Sequence, residues 1–403
     1  MIRHLPRSRV RAAFAVGALF ALAGTCAAET GVTDTTIKIG MFGPLTGAAS
    51  INGHPISNGP IAVFNEANAK GGIHGRKIEV INEDDGCDPA KALAAVKKLI
   101  HRDQVFMING GTCSTATAST TDEVRKSGVP HMLIAATMDS LTAPVTKNIF
   151  TAQLTGSRDG IGMATFAASI PGVKRVALIG FSSEWADTKI NPAKEIFKAK
   201  GIEVVANEVV ETGVADTTAQ VHRIKDAKPD AVLVFTFPGE AAIFLRDAWK
   251  YGLRSKAPGS PAVVVSFPDL VTLIDKVGNI DAVQDVYAIT VLKDTFDSPT
   301  LKPYVDLRYK YFPNDLKTAG AMQGMAAGYV IVEALQRAGR DLTRQKFIEA
   351  LESVQNFTAQ PNSCAISFSK TNHQGCDTPT HWTLVRDKVV AVGPTWRDVS
   401  KTK

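Results

Sequence analysis

Glu83-Asp84-Asp85-Gly86-Cys87-Asp88-Pro89, followed by Gly110-Gly111-Thr112-Cys113-Ser114-Thr115, is the stretch that decides the fold. Its first part reads as a strand ending in acidic loop residues, then a helix with Asp88 as N-cap and Pro89 at the first helical position. The apolar run Val105-Phe106-Met107-Ile108 reads as the next strand, and two glycines with a row of small hydroxyl residues open the helix after it. Such a helix start presents unpaired N–H groups and a positive dipole end, which suits a carboxylate or another anion. Cys87 and Cys113 fall on neighbouring βα loops at one edge of a sheet, where they are free to pair.

The same alternation runs outward from this stretch. Strands are expected at 37–42, 77–82, 105–109, 131–135, 175–181, 203–210, 231–237, 262–266 and 286–291. Helical patterns lie between them, near 55–70, 89–102, 115–127, 158–170, 187–200, 217–227 and 239–251, with longer ones at 299–312, 318–339 and 343–353. Alternating β and α at this spacing predicts parallel sheets flanked by helices. The pattern breaks at Gly156 and Ser157, and a second βα series begins there. The helices at 299–339 come after that series, so the chain is expected to return to its first domain.

The N-terminus reads as an export signal. Arg3, Arg7, Arg9 and Arg11 form a basic leader, residues 12–24 are uncharged and mostly apolar, and Thr25-Cys26-Ala27-Ala28 supplies small residues for cleavage after Ala28. The apolar run falls short of the roughly 20 residues a membrane span needs. Cys26 stands where a lipidated cysteine would, but Ala23-Gly24-Thr25 lacks the expected leucine and final small residue. The mature chain of about 375 residues exceeds one comfortable core, so two domains are expected.

Of 45 basic side chains four arginines lie in the leader, leaving 41 against 39 acidic ones, a net of +2 with no basic stripe for nucleic acid. Five cysteines less Cys26 leave four, an even set with three possible pairings; Cys87 with Cys113 and Cys364 with Cys376 is the one that joins nearby loops.

Enzymatic motifs are missing. No Gly-x-Gly-x-x-Gly follows a strand, no phosphate loop occurs, and Gly180-Phe181-Ser182-Ser183-Glu184 lacks the second glycine of a nucleophile elbow. Cys364, His373, Cys376 and His381 invite a zinc reading, but the short Cys-x2–4-Cys knuckle is missing and export favours a disulfide. No metal or cofactor is expected, and a secreted enzyme is the weakest alternative.

Several motifs together carry a family resemblance over nearly the whole mature chain. They are Ile39-Gly40-Met41-Phe42-Gly43-Pro44-Leu45-Thr46-Gly47, Asn68-Ala69-Lys70-Gly71-Gly72-Ile73-His74-Gly75, Asp84-Asp85-Gly86-Cys87-Asp88-Pro89, Cys113-Ser114-Thr115 and Ala135-Ala136-Thr137. The chain resembles the leucine/isoleucine/valine-binding proteins, the type I periplasmic solute receptors of branched-chain amino-acid ABC importers. The resemblance implies an α/β fold of two doubly wound parallel-sheet lobes joined by three crossovers and closing on a ligand. It places a signal peptide at 1–28, lobe 1 at 29–155 plus 288–357, and lobe 2 at 156–287 plus 358–403. It also implies a Cys87–Cys113 disulfide in lobe 1, a periplasmic monomer, and an inner-membrane ABC permease as partner. The alternative is a soluble ligand sensor of the same fold; sensors usually carry a membrane helix or signalling domain, and none is read here.

Carried over by position, the resemblance gives Ser114, Ala136 and Thr137 the ligand carboxylate, with Thr115, Ala135 and Asn52 completing the candidate set. Ser114 and Thr137 would in any sequence be good helix caps; at strand C-termini of a parallel sheet they are placed to cap and to hold an anion. The second lobe departs from the family. Trp185 and Phe237 stand where relatives have tyrosine, and no glutamate falls near Ser266-Phe267-Pro268-Asp269, where the ammonium partner belongs. Asp269 fits only with a shift of about one residue. Burying an unpaired ammonium is costly, so an aromatic or other hydrophobic carboxylate is the expected ligand ahead of an amino acid.

Overall fold

The computed structural model describes residue 1 and residues 29–47, 49–266, 270–377, 379–385 and 388–392. The leader with its cleavage site and Cys26, and the candidate Asp269 with Phe267, lie outside the described residues.

Two sheets organise the chain. The first has strand order β2-β1-β3-β4-β5, formed by β1 Thr36–Gly43, β2 Lys77–Asp84, β3 Met107–Gly110, β4 His131–Leu133 and β5 Ile149–Thr151, all parallel. The second has order β12-β11-β10-β9-β8-β6-β7, from β6 Arg175–Phe181, β7 Glu203–Val210, β8 Ala231–Phe235, β9 Ala262–Val265, β10 Val286–Thr290, β11 Thr380–Val385 and β12 Lys388–Val392. Pairing is parallel from β7 to β10, whereas β11 and β12 add an antiparallel edge. Helices cover both faces of the central strands, so β8 is buried throughout and reads as a continuous apolar run.

Local signals explain the helix starts. Asp88 accepts from Lys91 N at 2.8 Å, and Thr318 and Thr343 each accept at 3.2 Å from the third residue of their helices. The helix expected at 115–127 is two, Ser114–Ala118 and Thr121–Ser127. Helix Ala319–Ala338 returns to the first lobe and crosses helix Ser50–Ala69 with backbones almost touching. A Cβ on Gly324 would lie 2.2 Å from Ile56 O, and one on Gly59 2.4 Å from Ala321 O, so only glycine permits the crossing.

Two expectations about lobe boundaries meet a different arrangement. β10 belongs whole to the second sheet, so a boundary at 287/288 divides a strand. The segment from 358, expected in lobe 2, first runs along the edge of the first sheet. Thr151 bridges Gln374, His373 stacks on Phe150 at 3.7 Å, and Phe368 meets the same ring at 5.4 Å. The Cys364–Cys376 disulfide, with Cα atoms 5.5 Å apart, staples this segment before it enters the second sheet as β11. Non-local edge pairing, which has no local sequence signature, decides this placement.

Candidate ligand-binding cleft

The loops at the C-terminal ends of the strands in both sheets carry the candidate residues, the position where open α/β sheets bind ligands. In the first lobe the acidic stretch is a scaffold. Asp84 Oδ1 accepts from Leu45 N (2.7 Å), Thr46 N (3.1 Å) and Gly86 N (3.0 Å), and Oδ2 from Thr46 Oγ1 (2.5 Å). These donors, the Thr46 hydroxyl foremost, lower the Asp84 carboxyl to about 2. Asp85 is fully buried, accepts from Cys87 N at 2.8 Å, and is pushed upward by burial. Cys87 takes φ +61 and bonds to Cys113, tying this loop to the start of helix Ser114–Ala118.

Ser114, Ala135, Ala136 and Thr137 come together around Gly111. Ser114 is 7% exposed, and its Oγ accepts from Thr137 N at 3.0 Å. Ala135 N and Ala136 N both donate to Gly111 O, at 3.2 and 2.9 Å. The backbone N–H groups of Ala136 and Thr137 are therefore engaged within the protein. What remains to meet an anion is the Ser114 and Thr137 hydroxyls and the first N–H groups of helix Ser114–Ala118, which lack intrahelical acceptors. Thr115 is exposed, and Asn52 is half-buried in the first turn of helix Ser50–Ala69, on the neighbouring loop of this edge.

The second lobe brings three rings together. Phe237 packs 5.0 Å from Trp185 and 5.1 Å from Phe181, and Phe181 and Trp185 are 6.2 Å apart. Phe237 is 42% exposed, a large apolar surface left open at a strand end. Trp185 also packs against the first-lobe cluster that contains Ala116, Ala136 and Met138. Trp185 thus meets the first lobe, and the neighbouring Glu184 Oε1 accepts from Ser140 Oγ at 2.9 Å.

Sequence reasoning passed over three contributors. Phe181 reads as the last residue of a strand. Lys189 falls unremarked in the helical pattern at 187–200, yet it is buried, ion-paired to Asp159, and 4.8 Å from the Trp185 ring centre. Burial is the main effect on Asp159 and raises its carboxyl, against the pull of Lys189. Thr112, quoted for its helix start alone, has a buried hydroxyl with no hydrogen-bond partner among the described residues. Spacing to neighbouring motifs was the one available signal for it. Among the described residues no group of His, Cys, Asp and Glu could hold a metal ion, and no helix is long and apolar enough to cross a membrane.

Two α/β lobes thus carry small hydroxyl side chains and aromatic rings at the C-terminal ends of their strands. The chain belongs to the periplasmic binding protein family, whose model matches residues 36–385. A curated relative, the leucine-, isoleucine-, valine-, threonine-, and alanine-binding protein of Pseudomonas aeruginosa, is 28% identical over 57% of this chain. The match spans 61% of that relative's length. Among solved structures, a fatty acid ABC transporter substrate-binding protein from Thermomonospora curvata superposes with TM-score 0.79 at 21% identity, covering 93% of this chain and 96% of its own. A solute binding protein of an ABC transporter from Rhodopseudomonas palustris, in complex with 3,4-dihydroxy benzoic acid, gives 0.77 at 24%, covering 91% and 98%. These likenesses establish the fold.

Proposed function

We propose that this chain is the periplasmic solute-binding component of an ABC importer and that it captures a small hydrophobic carboxylate, preferentially an aromatic acid, between its lobes. The observation that carries the reading is Trp185: it belongs to the second lobe's ring cluster and packs on the first-lobe cluster that includes Ala116 and Ala136, close in sequence to the bonded pair Ser114 and Thr137. A flat acid placed there has its carboxylate on Ser114, Thr137 and the helix start, and its ring against Trp185 and Phe237. The binding protein is not an enzyme in this reading; it is exported to the periplasm and delivers its ligand to an inner-membrane permease.

The energetics suffice. Two or three charge-assisted hydrogen bonds at ~1.5–3 kcal/mol each and ring stacking at ~0.5–1.5 kcal/mol per pair add to burial of the ligand's apolar area. Toward the upper end of these ranges they exceed the ~8 kcal/mol of micromolar affinity, and the excess is set against lost motional freedom. Lys189 favours an acid over an amino acid, because it places a cation 4.8 Å from the Trp185 ring centre and already occupies the Asp159 carboxylate. The relatives span amino acids, fatty acids and hydroxybenzoates, so ligand class within the fold is set by such side chains. A calorimetric panel of branched-chain amino acids, benzoate-type acids and short-chain acids tests the proposal. Micromolar binding of a benzoate-type acid is expected; micromolar leucine binding with benzoates ignored overturns it.

A further inference from the structure

One helix joins the residue assigned to the ligand carboxylate to the ring assigned to its apolar part. Thr137 O accepts from Gly156 N at 2.7 Å. Asp139, two residues on, accepts from Ser157 N at 2.8 Å and from Ser157 Oγ at 2.5 Å. The start of helix Gly156–Ser169 is thus bonded to the loop after β4. The same helix lies directly on helix Glu184–Ala199: a Cβ on Gly156 would overlap the Thr188 hydroxyl, and one on Gly160 the Lys189 carbonyl. Between those glycines stands Asp159, which pairs with Lys189. The Lys189 ammonium in turn sits 4.8 Å from the centre of the Trp185 ring, one helical turn back.

We propose that Asp159 and Lys189 are positioning residues for the ligand: they hold the Trp185 ring in one place and, through helix Gly156–Ser169, set its distance from the Ser114–Thr137 anchor. Both are buried, at 5% and 3% exposure. Replacing a buried ion pair by apolar residues is often neutral or stabilising, so the helix contact alone does not account for this one. A lysine in water samples many rotamers. Here a carboxylate fixes the ammonium, and a cation over a ring face attracts the ring in return. The second Asp159 oxygen is buried with no hydrogen-bond partner among the described residues. Lys189 cannot swing away without stranding that carboxylate, which keeps the cation at the ring. The inference rests on the reading of Trp185 as a ligand wall, and it adds the device that aligns the wall with the anchor.

The first measurement needs no ligand. The Trp185 contribution to the near-ultraviolet circular dichroism of the mature chain is the wild-type spectrum less that of Trp185→Leu. It should be at least halved by Lys189→Met, which keeps the unbranched stem and removes the charge. The second measurement is calorimetry with benzoate. Lys189→Met should weaken binding roughly fivefold or more when Trp185 is present and less than about twofold in the Trp185→Leu background, the non-additivity of coupled residues. An unchanged Trp185 spectrum, or equal losses in both backgrounds, overturns the proposal, because a lysine that merely supports the fold acts alike with or without the ring. Benzoate binding too weak to measure, in wild type or in Trp185→Leu, leaves the decision to the ligand-free spectrum. In the wild type it also removes the aromatic-acid reading. If Lys189→Met does not fold, Asp159→Asn combined with Lys189→Met strands no charge and replaces it in both measurements.

Discussion

Ser114 does two tasks that a sequence cannot separate. Its Oγ accepts the Thr137 N–H, which fixes the loop after β4 against the helix after β3, and its hydroxyl hydrogen remains available to an anion. Ser114→Ala removes both, so ligand affinity should fall by ~1–3 kcal/mol, about 5- to 150-fold; calorimetry showing unchanged affinity would remove Ser114 from the site. His131, by contrast, touches stability alone. It is buried beside Phe42, bonds to Gly110 O at 3.1 Å, and burial lowers it from 6.5 to about 4. Between these values the unfolded chain binds the proton and the folded one does not, so stability is full above pH 6.5 and declines as pH falls to 4. The loss reaches ~3 kcal/mol at most. His131→Phe should flatten the melting temperature across that window, since Gly110 O keeps its bond from Ile134 N; an unchanged pH slope would refute the assignment.

Between elements, the junction of helix Lys302–Tyr311 with the first lobe rests on a buried cation. Arg308 is fully buried, donates to Leu316 O at 2.9 Å and to Asp315 Oδ2 at 2.7 Å, and Asn58 Nδ2 donates to the same carboxylate oxygen at 2.8 Å. Asp315→Ala leaves the guanidinium buried without its counter-charge, and the expected destabilisation is ~3–5 kcal/mol, readable as a lower urea midpoint; an unchanged midpoint contradicts the account. This is also the scale at which the sequence stops being legible. Asp88, Thr318 and Thr343 announce their helices because capping is a contact between residues three apart, and β6 and β8 announce themselves because both faces are apolar. β5, three residues long, and helix Leu270–Val277 were passed over, the first because so short a run has no period to read. The path of 358–377 along the first sheet depends on Thr151 and Phe150, more than 200 residues away. At the site, Ser114 and Ala136 were legible from motif spacing, but the engagement of the Ala136 N–H by Gly111 and the burial of Lys189 against Asp159 are products of packing.

For the whole molecule, closure depends on the contacts that exist only when the lobes meet. Asp139, after β4 in the first lobe, accepts from Ser157 N at 2.8 Å where the chain enters the second, so this contact lies at the crossover itself. Ser140–Glu184 and the seating of Trp185 on the first-lobe cluster do join the lobes directly. Contacts confined to the closed state raise affinity by biasing closure and contribute nothing to the open chain. Ser140→Ala should therefore weaken ligand binding by ~0.5–1.5 kcal/mol, about two- to tenfold, while leaving the melting temperature of the ligand-free protein unchanged. Trp185→Ala should cost more, because it removes both the lobe contact and the stacking surface. Small-angle scattering supplies the complementary measurement: the radius of gyration should shrink on saturation with ligand, and shrink less at equal ligand in either variant. Wild-type affinity in Ser140→Ala together with ligand-independent scattering would mean that the lobes do not move apart, and that the cleft is a fixed pocket.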